Sequence, residues 1–250
     1  MTDTYLKAPE TLHPLIGIVG GMGPLASAEL IKTIYVESEQ ELEQRLPRVL
    51  LWSDPAVVDR TEAIEAGQLG LLRDALELSI GHLLNAGAET VVIACMTAHT
   101  VLPLISSELA ARCVSLIDIV FEEVARQPAI HLLLCTRGTT KSGLFTEHTR
   151  WAELGNRLVL LSDEDQDLLH RQIYRLKENS ARRSAVSFVS DVLLPKYGVP
   201  GFVAGCTELH LVTREIQSIG LSSSLPHIDP LDVVAQRIRD GKLWPDSRRS

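Results

Sequence analysis

The chain has 250 residues, 45% of them hydrophobic, and a formal net charge of −8. That length allows one or two domains with ordinary cores. An acidic balance without long runs of like charge argues against nucleic acid or an anionic membrane as the main partner. No stretch approaches the roughly 20 apolar residues of a membrane span. The polar opening Met1–Pro14 lacks an apolar signal core, and the four cysteines, Cys95, Cys113, Cys135 and Cys206, form no dense framework. A reducing cytoplasm is the expected setting.

In chain order, Leu15–Val19 is a short apolar run closed by Gly20-Gly21-Met22-Gly23-Pro24. Pro24 suits a first helical turn, where its missing N–H is harmless. A helix is predicted over 25–43, a strand over 49–52, a helix over 61–86 ending at Gly87, a strand over 90–94 and a helix over 97–111. Strand 114–117 and helix 119–126 close the first half. The second half reads as strand 130–134, a turn at 136–139, helix 142–154, strand 158–161, a helical region 166–197, strand 201–204 and a last helix 229–240. The first dozen residues and 246–250 read as frayed ends. Short apolar strands alternating with helices predict an α/β fold built on parallel sheets covered on both faces.

The sequence repeats itself. Val91-Val92-Ile93-Ala94-Cys95-Met96-Thr97-Ala98-His99 is echoed 111 positions later by Phe202-Val203-Ala204-Gly205-Cys206-Thr207-Glu208-Leu209-His210. Ile117-Asp118 recurs at the same offset as Ile228-Asp229. The duplication predicts two pseudo-symmetric domains with a cleft between them. The first takes residues 1–117 plus 228–250 and carries Cys95; the second takes 118–227 and carries Cys206. The segments 118–126 and 229–240 are expected to exchange, each packing on the other half. In such sheets ligands bind beyond the carboxyl ends of the strands. The glycine cluster with Met22 and Gly23, the 54–61 loop, both cysteines and the 136–139 turn with Thr139 all fall on that edge.

Two matched thiols facing one cleft suit a two-base proton exchange. A cysteine between strand end and helix start meets free N–H groups and a positive dipole end, which should draw its pKa from roughly 8.5 toward neutrality. The same N–H groups can hold a carboxylate. One thiolate removes an α-proton from one face while the other thiol supplies a proton to the opposite face. Holding the carboxylate stabilises the charge that develops beside it.

Five motifs carry a resemblance over about Leu15 to Ile238: Gly20-Gly21-Met22-Gly23-Pro24-Leu25-Ala26, Asp59-Arg60-Thr61, Cys95-x-Thr97-Ala98-His99, Gly205-Cys206-Thr207-Glu208 and Ile228-Asp229-Pro230. In order and spacing they resemble the pyridoxal phosphate-independent aspartate/glutamate racemase family, within it the aspartate racemases. The resemblance implies two similar α/β domains, a catalytic pair Cys95 and Cys206, no cofactor, no metal and a homodimer acting on a small acidic amino acid. It implies that Thr97 and Thr207 hold the α-carboxylate and that Arg60 holds the acidic side chain. Lys177, after Ile173-Tyr174, is the position similar to a family lysine. Met96 departs from the pattern, because the family usually has an Asn there that contacts substrate. Methionine cannot donate a hydrogen bond, so Met96 bears on substrate choice between aspartate, glutamate and methylated aspartate.

Other readings compete. A lone strand-end cysteine is usually a small buried apolar residue, as Cys113 and Cys135 are taken to be. His99 and His210 could lie in the core or orient substrate groups, and Glu208 could cap its helix or polarise its neighbours. Two Cys-x3-His pairs could form a zinc site, and the chain could be a non-catalytic binding module. Among enzymes, a glutamate, broad-specificity or hydantoin racemase are the alternatives, and Arg60 favours an acidic substrate.

Overall fold

The computed structural model describes residues 14–38, 41–178 and 182–243. The expected frayed ends, and parts of the expected helices at 39–40 and 179–181, lie outside them. Eight strands form two sheets. β1 (Leu15–Gly20), β2 (Arg48–Ser53), β3 (Thr90–Ile93) and β4 (Cys113–Val114) make the first, in the order β2-β1-β3-β4. β5 (His131–Leu134), β6 (Leu158–Val159), β7 (Gly201–Ala204) and β8 (His227–Ile228) make the second, in the order β6-β5-β7-β8. Every pairing is parallel, and the two orders are the same order repeated. β3 maps onto β7 at the offset of 111 seen in the sequence. The fold is the α/β architecture expected, with each sheet flanked by helices.

Several element bounds differ, each for a local reason. The helix expected over 61–86 is two, Arg60–Glu65 and Leu69–Asn85, because Gly67 turns the chain at a φ of +67°. The helix expected over 97–111 is a 3₁₀ segment Thr97–Leu104 and a short α-helix Ser107–Ala110; Pro103 cannot donate the bond that α-helix would need. The 136–139 turn opens a helix, Arg137–Lys141, with Thr136 as its cap. Only Trp151–Leu154 of the expected helix 142–154 is helical at its end, and Gly143 at a φ of +68° interrupts the rest. The region 166–197 divides into Asp163–Lys177, Arg182–Ser187, a π-helical stretch Phe188–Leu193 and Leu194–Tyr197. β8 escaped the reading because two residues give no period to detect.

The crossing segments tie the halves together. Helix Pro230–Arg239, leaving the second sheet, packs against helix Pro24–Glu37 of the first. Helix Leu116–Arg126, leaving the first sheet, packs against Trp151–Leu154 and β8 of the second. One apolar core consequently joins Ile16, Leu30 and Val92 to Phe121, Leu133, Val203, Leu231 and Val234. Positions 117 and 228 fall within helix Leu116–Arg126 and within β8.

Candidate active site

The carboxyl ends of the strands deliver the expected residues to one region. β3 ends two residues before Cys95, which is 4% exposed, and β7 two residues before Cys206, which is 3% exposed. A side-chain bond joins the two thiol segments: Thr207 Oγ1 donates to the Ala94 carbonyl at 3.1 Å. Glu208 and Lys177 both act electrostatically on each thiol.

The thiols differ in their neighbours. Cys206 Sγ donates to Glu208 Oε2 at 2.8 Å. Arg60 acts electrostatically on Cys95, while Arg60 Nη2 donates to the Met22 carbonyl at 2.7 Å and Nη1 to the Val58 carbonyl at 3.3 Å. Burial raises the Cys95 pKa, with Arg60 opposing and Glu208 adding to the rise. Burial and then the Glu208 carboxylate push Cys206 well above its ordinary value. The expected fall toward neutrality is therefore corrected: both thiols are shifted up. Each is followed by a 3₁₀ segment rather than an α-helix, Thr97–Leu104 and Thr207–Leu209. The help the backbone gives is local, one N–H from Ala98 to Cys95 and one from Glu208 to Cys206, and it is outweighed by desolvation.

Around the thiols, three buried hydroxyls form a triangle across the two halves. Thr97 Oγ1 lies 2.8 Å from Thr139 Oγ1 and 3.0 Å from Thr136 Oγ1, which lie 3.0 Å apart. Lys177 Nζ sits 3.5 Å from Asp59 Oδ2 and 3.9 Å above the Tyr174 ring, and Tyr174 Oη donates to Asp59 Oδ2 at 2.8 Å. Burial would raise the Asp59 carboxyl, but Tyr174 and Lys177 hold it below its ordinary value. The other Asp59 oxygen caps the helix that starts at Arg60, accepting from Thr61 and Glu62 N–H. Asp59, Tyr174 and Thr136 had no role assigned from sequence, although the Asp59-x-x-Glu62 spacing is a capping signal. Met22 is buried at 1% exposure and its carbonyl holds Arg60. Gly23 lies against Glu208: a Cβ there would come within 2.6 Å of Oε1.

The Met96 side chain is 1% exposed and belongs to the apolar core that contains Leu116, Val120 and Leu231. The two histidines turn from the thiols. Leu116 N–H donates to His99 Nε2 at 3.2 Å, so Nδ1 carries the hydrogen given to the Cys95 carbonyl at 2.9 Å. His99 is neutral, its pKa lowered by burial. Thr33 spends its hydroxyl hydrogen on the Glu29 carbonyl, so His210 Nε2 donates to Thr33 Oγ1 at 2.9 Å while Nδ1 donates to Asp229 Oδ2 at 2.7 Å. His210 is fully buried, and Asp229 holds its pKa above the ordinary value against burial. Both rings are spent on these bonds, which removes the geometry that a Cys2His2 zinc site needs. Cys135 is buried, with its thiol pushed up to about 11 by burial, and Gln166 Nε2 donates to its carbonyl at 2.8 Å.

Two similar α/β halves, each with a buried cysteine just beyond a central strand, are joined by the bonds from Thr97 to Thr136 and from Thr207 to Ala94. Residues 19–238 match the family described as Asp/Glu/hydantoin racemase, and the chain belongs to that family. Among solved structures it is similar to an aspartate racemase of Picrophilus torridus, with 25% identity, a TM-score of 0.77 and coverage of 92% of this chain and 94% of that one. An aspartate racemase homologue of Pyrococcus horikoshii has 21% identity, a TM-score of 0.62 and coverage of 91% and 98%. A glutamate racemase of Campylobacter jejuni has 15% identity, a TM-score of 0.61 and coverage of 91% and 85%; at these two identities the likeness is one of fold. Among the described residues no helix is long and apolar enough to cross a membrane.

Proposed function

We propose that the chain is an aspartate racemase that interconverts L- and D-aspartate by a cofactor-independent exchange of the α-proton between Cys95 and Cys206. The observation that carries this reading is the pairing of two buried strand-end thiols that share Glu208 and Lys177 as neighbours. Cys95, beside Arg60, takes the α-proton as thiolate. Cys206 returns a proton from its S–H to the opposite face, and the roles reverse for the other enantiomer. The charge left on Cα spreads into the α-carboxylate. The hydroxyls of Thr97 and Thr139 and the backbone N–H groups near Thr207 hold that group and stabilise the charge.

Two cations border the thiols, Arg60 and Lys177, and aspartate has two carboxylates to give them. Arg60 is fixed by two carbonyls and takes the side-chain carboxylate; Lys177 exchanges Asp59 for substrate. The match in fold and the 25% identity to an aspartate racemase support the same substrate. The chemistry asks for reduced thiols, in keeping with a cytoplasmic setting and with four free cysteines. A homodimer, and lobes divided near residues 117 and 228, belong to the same proposal.

Proton–deuterium exchange at Cα, followed by NMR on metal-free and pyridoxal-free protein, tests it. L- and D-aspartate should both exchange, faster than glutamate and far faster than alanine. Faster exchange of glutamate would reassign the substrate. No exchange with any of them would remove the two-base reading.

A further inference from the structure

One buried oxygen is left over in the site. Glu208 is 2% exposed, and its Oε2 is engaged by Cys206 Sγ at 2.8 Å. Its Oε1 is buried and has no hydrogen-bond partner among the described residues. An unpartnered carboxylate oxygen out of water is costly. It faces Gly23, and the space beside it exists because that residue lacks a Cβ, which would lie 2.6 Å away. At the equivalent position of the first half stands Thr97, a hydroxyl satisfied by Thr136 and Thr139. Among the described residues, only the Cys206 side carries a buried carboxylate oxygen without a hydrogen-bond partner.

We propose that Glu208 Oε1 is the seat of the substrate's α-ammonium group, so that the site selects free α-amino acids over N-acylated or cyclic ureide substrates. This rests on the racemase reading above and names the substrate class within it. A Cα poised to exchange its proton lies about 3–3.5 Å from the reacting sulfur. Its amine is one bond away, within reach of the carboxylate bonded to that same sulfur. The ammonium keeps all its protons throughout: the proton that reaches Cα comes from Cys206 S–H, and the one that leaves goes to Cys95. After Cys206 has given up its proton, its thiolate stands beside the Glu208 carboxylate, and the ammonium offsets that repulsion. A neutral amide or ring nitrogen could neither satisfy Oε1 as a cation nor compensate the second charge.

The test compares aspartate with succinate, which is aspartate without its amine, in wild type and Glu208→Gln. KM for aspartate should rise tenfold or more in the variant, while the inhibition constant of succinate stays the same or falls. Equal weakening of both, or no change in either, overturns the proposal. A measurement on wild type alone covers a variant that fails to fold: Cα exchange of N-acetyl-aspartate and of 5-carboxymethylhydantoin should be at least a hundredfold slower than that of aspartate. Comparable exchange of either overturns the ammonium seat and leaves the racemase reading intact. If no compound in the panel exchanges, the racemase reading falls and the ammonium seat with it.

Discussion

The hydroxyl of Thr207, the residue after one thiol, donates to the carbonyl of Ala94, the residue before the other, at 3.1 Å. That bond ties the segment that follows one thiol to the segment that precedes the other. Thr207→Val keeps the shape and removes the donor, leaving a buried carbonyl unsatisfied at a cost of about 1–3 kcal/mol. We expect a lower midpoint in urea unfolding and a fall in kcat larger than any change in KM. An unchanged kcat would show that the tie does not set the thiol spacing.

Cys95→Ser and Cys206→Ser should each abolish racemisation, because serine is too weak an acid to supply the thiolate's chemistry near neutral pH. Folding should survive, since each swap is close to isosteric. Each variant should still exchange the α-proton of one enantiomer only, and the two should be complementary. Turnover near wild type in either excludes the two-base scheme.

Arg60→Ala should cost more with aspartate than with alanine, by about 2–5 kcal/mol for a buried carboxylate deprived of a charged partner. Arg60 also opposes the rise in the Cys95 pKa. Its loss should therefore slow alkylation of Cys95 by iodoacetamide at pH 8, read by peptide mass. Equal losses on both amino acids would assign Arg60 to the α-carboxylate or to the fold.

Met96→Asn puts a buried amide into the apolar core that contains Leu116, Val120 and Leu231. We expect about 2–5 kcal/mol of destabilisation, read by denaturant unfolding, with no gain in KM for aspartate. A fall in KM at unchanged stability would place position 96 in the substrate pocket.

His210 makes stability depend on pH. Burial opposes its charge, but Asp229 holds its pKa above the ordinary value. That contribution is complete below about pH 6.5 and is lost as pH rises through the folded pKa. Asp232, pushed up to about 6 by burial and by Asp229, slopes the same way. Asp229, held at about 2 chiefly by His210 against burial, is stabilising above about pH 4 and loses this only as pH falls through about 2. Wild type should therefore lose stability as pH rises, through Asp232 up to about pH 6 and through His210 above about pH 6.5. His210→Gln should be about 3–5 kcal/mol less stable at pH 6, and the gap should narrow as pH rises through the folded pKa of His210. A constant gap would mean that His210 is not charged.

The fold was legible because the chain states it twice: the repeat from Val91 to His99 and from Phe202 to His210 fixed both sheets and both thiols. Strand ends were read well where an apolar run stops at a glycine or cysteine, as at Val19 and Ala204. Long helices were overread because Gly67, Pro103 and Gly143 break them through backbone geometry that a hydrophobic period does not register. Lys177 could be placed beside the site only after helix Asp163–Lys177 was folded over Asp59. The burial of Met96 and the inequality of His99 and His210 depend on packing across the two halves, which no local spacing reports.

The exchanged helices bear on where such a chain could have come from. A single half would end in a helix such as Leu116–Arg126, whose apolar face packs on the other half rather than its own. Alone in water, that face would be bare. Two copies could each lend the other this last helix and bury both faces at once. Joining those copies end to end gives the present chain, and it turns a contact that depends on concentration into one that does not. In one chain the two halves carry different residues at equivalent positions, as with Thr97 against Glu208, which two identical copies of a half cannot do.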